Sequence, residues 1–207
     1  MWSDSINQSL KDKYELYNYG NAVEILTQAH ETEWIEICDA LERFQISVGE
    51  LMEGGGNESA IPKKMANSLK PLNWEEIKIS ADLLVKMKKR NPMRLEEFTI
   101  ENYLDGYNID YVKNRVAFDM EWNSKDQTFD RDLYAFRAFH ETGIIDCGII
   151  MTRSISLDPL FKDLGIMAKY GASTTQMGKL TTRVNARRQG GCPLFIIGIT
   201  PTCVVGG

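Results

Sequence analysis

The run RVAFDMEW at residues 115–122 alternates apolar and polar side chains almost from end to end. A period of two is the signature of a β-strand. Val116, Phe118, Met120 and Trp122 share one face, and Arg115, Ala117, Asp119 and Glu121 share the other. The first face demands a core. The second sets two carboxylates about 6.6–6.8 Å apart along the strand, within reach of one divalent ion or an ion and its bound water. Two carboxylates held together without a cation must protonate or repel. Asp110 lies nearby in the chain, and YVKN offers a turn to bring it beside the start of the strand. An all-oxygen cluster of this kind suits Mg²⁺, with Mn²⁺ as a substitute. The solvated face of an edge strand satisfies the same alternation, so spacing alone leaves both readings open.

The segments that follow place this strand in a sheet. TFDRDLYAFRAFHETG sets Phe129, Leu133, Phe136 and Phe139 at helical spacing and stops at Gly143. IIDCGIIMT and PLFIIGIT read as two further apolar strands. Strand, helix and strand in this order imply an α/β (α+β) fold, a central mixed sheet flanked by helices. Upstream, residues 21–53 carry helical periodicity, and GGGN at 54–57 opens a loop. KKMANSLK after Pro62 forms a short helix, NWEEIKIS suits a strand, and RLEEFTIENYLDG reads as a helix closed by Gly106. With no internal repeat or linker, one domain over residues 1–207 is expected. It divides into an N-terminal helical region at about 1–56 and a sheet core at about 72–201.

Composition excludes several classes. A hydrophobic content of 43% and a charged content of 26% are those of a globular chain, not a disordered one. The longest apolar run, PLFIIGITPTCVVGG, is too short and broken to span a bilayer, so no membrane partner is expected. The N-terminus has no basic segment leading into an apolar one, which argues against a secretory signal. Cys38, Cys147, Cys192 and Cys203 form no CxxC pair and the chain has 2 histidines, so buried free thiols in a reducing cytoplasm are expected. The net charge of −5 does not exclude a polyanionic partner, because the cations are clustered. KMKKRNPMR holds Lys86, Lys88, Lys89, Arg90 and Arg94, and RVNARRQGG holds Arg183, Arg187 and Arg188. Each cluster suits a solvated face as well as a binding site.

DYVKNRVAFDME resembles the catalytic segment of the type II restriction endonucleases of the BamHI, BglII and BstYI group, in the PD-(D/E)xK nuclease superfamily. RDLYAFRAFHETGIIDCGIIMTRS is similar to the helix and strand that follow it there, and RRQGGCPLFIIGITP resembles the closing strand of BstYI in particular. The resemblance covers residues 107–201. Glu121 stands where the superfamily usually has Lys, as in BamHI and unlike the Gln of BglII and BstYI. Asp119 replaces the group's usual Glu, and Ile109 precedes Asp110 where Pro is common.

The resemblance implies a restriction-endonuclease-like fold and Mg²⁺-dependent hydrolysis of double-stranded DNA by a prokaryotic, cytoplasmic homodimer. The site is a short palindrome, GATC-centred and cut to leave 5′ overhangs. Asp110 and Asp119 are the implied metal ligands, with Glu121 a further ligand that orients and deprotonates the attacking water. The turn NSKDQ is implied to face the major groove, which makes Asn123, Ser124, Lys125, Gln127 and Arg131 candidate DNA contacts; Ser173, Thr174 and Thr175 of YGASTTQ form a second group. Helix capping or solvation is the competing role for each, Ser124 above all. His140 is expected to pack at a helix end rather than act in catalysis, and Lys113 to be solvated. The N-terminal helices are the expected dimer interface. Two rivals remain: another DNA nuclease on the same fold, from repair or a mobile element, and a non-catalytic DNA-binding protein.

Overall fold

The computed structural model describes residues 2–53, 55 and 59–206. The first half of the chain contains α1 (Gln8–Lys13), β1 (Tyr14–Tyr19), α2 (Ala22–Ala29), α3 (Glu31–Arg43), β2 (Ile46–Ser47), α4 (Val48–Glu53) and α5 (Ala60–Leu69). A long hairpin follows, β3 (Glu75–Arg90) and β4 (Met93–Lys113). Then come β5 (Val116–Glu121), α6 (Thr128–Glu141), β6 (Cys147–Arg153), α7 (Asp158–Asp163), α8 (Met177–Asn185), β7 (Leu194–Ile199) and β8 (Val204–Val205). Six strands make one sheet in the order β1-β7-β6-β5-β4-β3. Strands β5, β6 and β7 are parallel, and β1, β4 and β3 flank them antiparallel. No helix among the described residues is long and apolar enough to cross a membrane.

Every residue of the parallel trio is buried, because helices cover both faces. On one face Val116, Phe118, Met120 and Trp122 pack with Val23, Leu26, Trp34, Ile37 and Met65 from α2, α3 and α5. On the other, Ala117, Ile150 and Ile196 meet Phe129, Leu133, Phe136 and Phe139 of α6 and Leu180 of α8. Helix α6 lies close to the sheet because Gly148 sits beneath it; a Cβ there would be 2.3 Å from the Phe136 ring. Thus the polar face of β5 looks into the protein, under α6, and β5 is an interior strand. An edge strand with a solvated face is excluded.

Two expectations are corrected. The region at about 1–56 is not helical throughout, since YELYNY forms β1, which pairs with β7 from Tyr14↔Ile199 to Tyr19↔Leu194. RLEEFTIENYLDG is not a helix but part of β4. Its Leu95 and Phe98 mimic helical spacing, yet Phe98, Thr99, Ile100 and Tyr103 are strand formers, and pairing with β3 decides the outcome. The N-terminal helices turn their apolar faces onto their own sheet. Apart from Gly55, the loop expected at GGGN lies outside the described residues. Cys147, Cys192 and Cys203 are buried free thiols as expected, and Cys38 is half-buried.

Candidate active site

The site begins at a two-residue turn. Asn114 and Arg115 both have positive φ, 43° and 71°, and join β4 to β5 as a tight hairpin. YVK, expected in the turn, belongs to β4 instead, paired at Tyr111↔Phe118, Val112↔Ala117 and Lys113↔Val116. One step further along this register Asp110 meets Asp119, and the charge of Asp110 bears on the Asp119 carboxyl. Asp110, Asp119 and Glu121 then line one cleft of about 390 Å³, together with Lys63 and Lys70 from the α5 side, Glu76 and Asn108 from the hairpin, and Arg131.

Two further carboxylates, Glu76 and Asp132, were not anticipated. Asp132 on α6 offers an oxygen within 4.8 Å of oxygens from Asp119 and Glu121. All three side chains are nearly inaccessible, at 5%, 2% and 3% exposure for Asp119, Glu121 and Asp132. Asp132 Oδ1 accepts from Arg131 Nε at 3.0 Å and Nη2 at 2.8 Å, and the same Nη2 lies 3.6 Å from Glu121 Oε1. The sequence did carry a signal for it. Asp132 stands three residues after Phe129 and four before Phe136, on the buried stripe of α6. An acid on an apolar stripe is an anomaly that asks for a partner. Lys63, Lys70 and Glu76 carried no comparable signal, since only the folded cleft places them here.

The electrostatics are those of a cluster short of positive charge. Burial pushes the Asp119 carboxyl well above its usual range, and the charges of Asp132, Asp110 and Glu121 push it further. Burial and then Glu121 raise Asp132 to about 8, against the pull of Arg131. The Asp132 and Glu121 carboxyls thus stand within 4.8 Å of each other, and Arg131 Nη2 contacts both. A divalent cation fits this donor set: hard oxygen ligands, buried and converging.

A pH dependence follows. Both groups bind a proton more tightly folded than unfolded, so the stability they contribute is complete below the ordinary value of 3.8 and is lost as pH rises through about 8 for Asp132. Thermal melts in chelator should show a midpoint that falls between pH 5 and pH 8. Asp132→Asn should flatten that fall and raise the midpoint at pH 8. A wild-type midpoint that rises over the same range would contradict the assignment.

The two loops expected to contact DNA are joined. Thr175 N donates to Ser124 O at 2.8 Å, Asp126 N donates to Ser173 O at 2.9 Å, and Lys125 bridges to Thr174 as a short antiparallel pair. Asn123 has φ 55° and donates from Nδ2 to Gly55 O at 3.1 Å. Ser124 does not cap α6, because Gln127 occupies the N-cap position. Lys125, Gln127 and Ser173 are exposed, whereas Thr175 is fully buried and cannot present its hydroxyl outward. Thr174 Oγ1 accepts from the buried Arg153 Nη2 at 3.1 Å, which ties this loop to the end of β6. Arg131 lines the cleft and touches its carboxylates, with its side chain largely exposed. His140 lies eight residues beyond Asp132, about 12 Å along the helix, too far to serve the cleft. Lys113 is not solvated but pairs with Glu36 Oε1 at 2.6 Å.

The family model described as restriction endonuclease BglII/BglIII matches residues 14–199. That span begins at the first residue of β1 and ends at the last residue of β7, the limits of the main sheet. No curated protein matches the chain in sequence. The match covers most of the chain, including every carboxylate of the cleft. The chain belongs to the BglII/BglIII restriction endonuclease family, and is a nuclease that acts on DNA.

Proposed function

We propose that the chain is a type II restriction endonuclease that hydrolyses both strands of duplex DNA at a short palindrome, with Mg²⁺ as cofactor. The observation that carries this reading is the convergence of Asp110, Asp119 and Glu121 on one cleft bordered by Lys63, Lys70 and Arg131. Asp110, Asp119 and Glu121 would hold the ion, which when bound polarises the scissile phosphate and stabilises the leaving 3′-oxygen. Glu121 orients the attacking water and accepts its proton at a carboxylate oxygen. Asp132 stands against Glu121 and shares Arg131 with it, and acts as a positioning residue. Lys63, Lys70 and Arg131 offset the charge of an entering phosphate, which a cleft of carboxylates alone would repel. The joined loops at 123–127 and 173–174 present Lys125, Gln127 and Ser173 to base edges. A GATC core and 5′ overhangs rest on the resemblance to the BamHI, BglII and BstYI group.

One carboxylate cluster per chain among the described residues motivates a symmetric homodimer, each copy cutting one strand. Sedimentation of the chain on a duplex bearing its site should give two copies per duplex. A monomer that still makes double-strand breaks in a single binding event would overturn this. Digestion tests the metal requirement. Mg²⁺ or Mn²⁺ should support cutting, Ca²⁺ should permit binding without turnover, and excess EDTA should abolish cleavage. Full cutting in EDTA would refute the proposed role of the cleft.

A further inference from the structure

We propose that the far end of the β3–β4 hairpin is a second DNA contact, which grips the phosphate backbone beyond the cleft. The inference rests on the duplex-DNA reading above, and its support is independent of the carboxylates. The hairpin touches α6 near Leu83 and Leu104 and then runs on alone, from Leu84↔Thr99 to Arg90↔Met93. Those seven rungs reach about 24 Å past the body, a length of about seven base pairs. At Leu83 and Leu104 the hairpin lies across α6, beside Arg137, Ala138 and Glu141, and the arm departs from there.

The chemistry of the tip selects the partner. No acidic residue occurs between Asp82 and Glu96, while Lys86, Lys88, Lys89, Arg90 and Arg94 all do, in a chain of net charge −5. Lys86 pairs with Glu97 at 3.3 Å and Lys89 with Glu96 at 2.6 Å. Among the described residues, Lys88, Arg90 and Arg94 have no acidic partner, and all three are exposed. Lys89 and Arg94 stand directly opposite each other across the hairpin. Glu96 compensates Lys89 alone, which leaves Arg94 free to meet a phosphate. The tip thus concentrates unpaired cations on a strut that neither core stability nor the cleft requires. A second copy of the chain could instead use the apolar stripe nearer the body, Leu83, Phe98 and Ile100; the test separates the two.

Binding to a duplex of about 40 base pairs, long enough for the cleft and the arm, would be measured in Ca²⁺ over a range of salt. The proteins compared are the wild type, a K88Q/R90Q/R94Q variant and a charge-preserving K88R/R90K/R94K variant. Neutralisation should weaken binding alike on every sequence, and should reduce the slope of log K against log salt by about 2–3. The charge-preserving variant should keep the wild-type slope, and thermal melts should coincide for all three. If the wild type binds and cuts DNA but the neutralised variant matches its slope, the arm assignment fails alone. A changed sedimentation coefficient with an unchanged slope would assign the arm to self-association and overturn the proposal. If the wild type binds no duplex, the underlying reading falls and the arm assignment with it.

Discussion

Glu121→Gln and Asp119→Asn should each lower cleavage by about 10²–10⁴-fold, the range typical for loss of a positioned acid–base group, while duplex binding in Ca²⁺ stays within a few-fold. Both substitutions keep the shape of a side chain that is nearly inaccessible, so packing is not disturbed. Both also remove charge from a cluster that lacks enough cations, so the metal-free variants should melt no lower than the wild type at pH 8. Lys125→Ala should behave in the opposite way. Its side chain is exposed on the joined loops, so its loss should weaken binding or relax sequence preference, by about 1–3 kcal/mol for a bidentate base contact. The classes differ because a group acting on the reacting atoms works on the transition state, whereas a base contact also holds the ground state. Arg131 belongs to neither class cleanly, since it touches Glu121 and Asp132 as well as lining the cleft.

Gly148→Ala should destabilise the protein by about 2–3 kcal/mol, an overpacking effect in a rigid core. The added Cβ would lie 2.3 Å from two atoms of the Phe136 ring and 2.9 Å from Leu194 Cδ2. Neither neighbour can yield easily, because both are fully buried between α6 and the sheet. Relief requires α6 to lift, and α6 carries Asp132 and Arg131. The urea midpoint should therefore fall, with an unchanged m-value. The extra stability conferred by Mg²⁺ should shrink with it. A midpoint equal to that of the wild type would mean that the close approach of α6 is not under strain.

These two predictions mark what the sequence could and could not disclose. β5, β6, β7 and α6 were legible because each has a clean period or an unbroken apolar run, and because Gly143 punctuates the helix. Asp110, Asp119 and Glu121 were legible as a group, since strand geometry and the family resemblance agreed on them. The turn at Asn114–Arg115 was missed because YVKN contains its first residue but begins too early; positive φ at Arg115 has no signature in composition. The arm was misread because its side chains lack a core, so nothing forced period two on residues 95–106. Asp132 needed the packing of α6 on β5 to acquire a meaning. Lys63 and Lys70 needed the whole fold, since they come to the cleft from α5 and the turn after it, about 45–55 residues upstream of β5.

The most direct test is to digest linear DNA of known sequence with the purified chain in Mg²⁺ and to sequence the ends of both strands. The wild type should generate ends at one short palindrome, offset symmetrically on the two strands, and Glu121→Gln under the same conditions should generate none. DNA left intact in both Mg²⁺ and Mn²⁺, ends scattered without sequence preference, or a Glu121→Gln digest equal to the wild type would contradict the account.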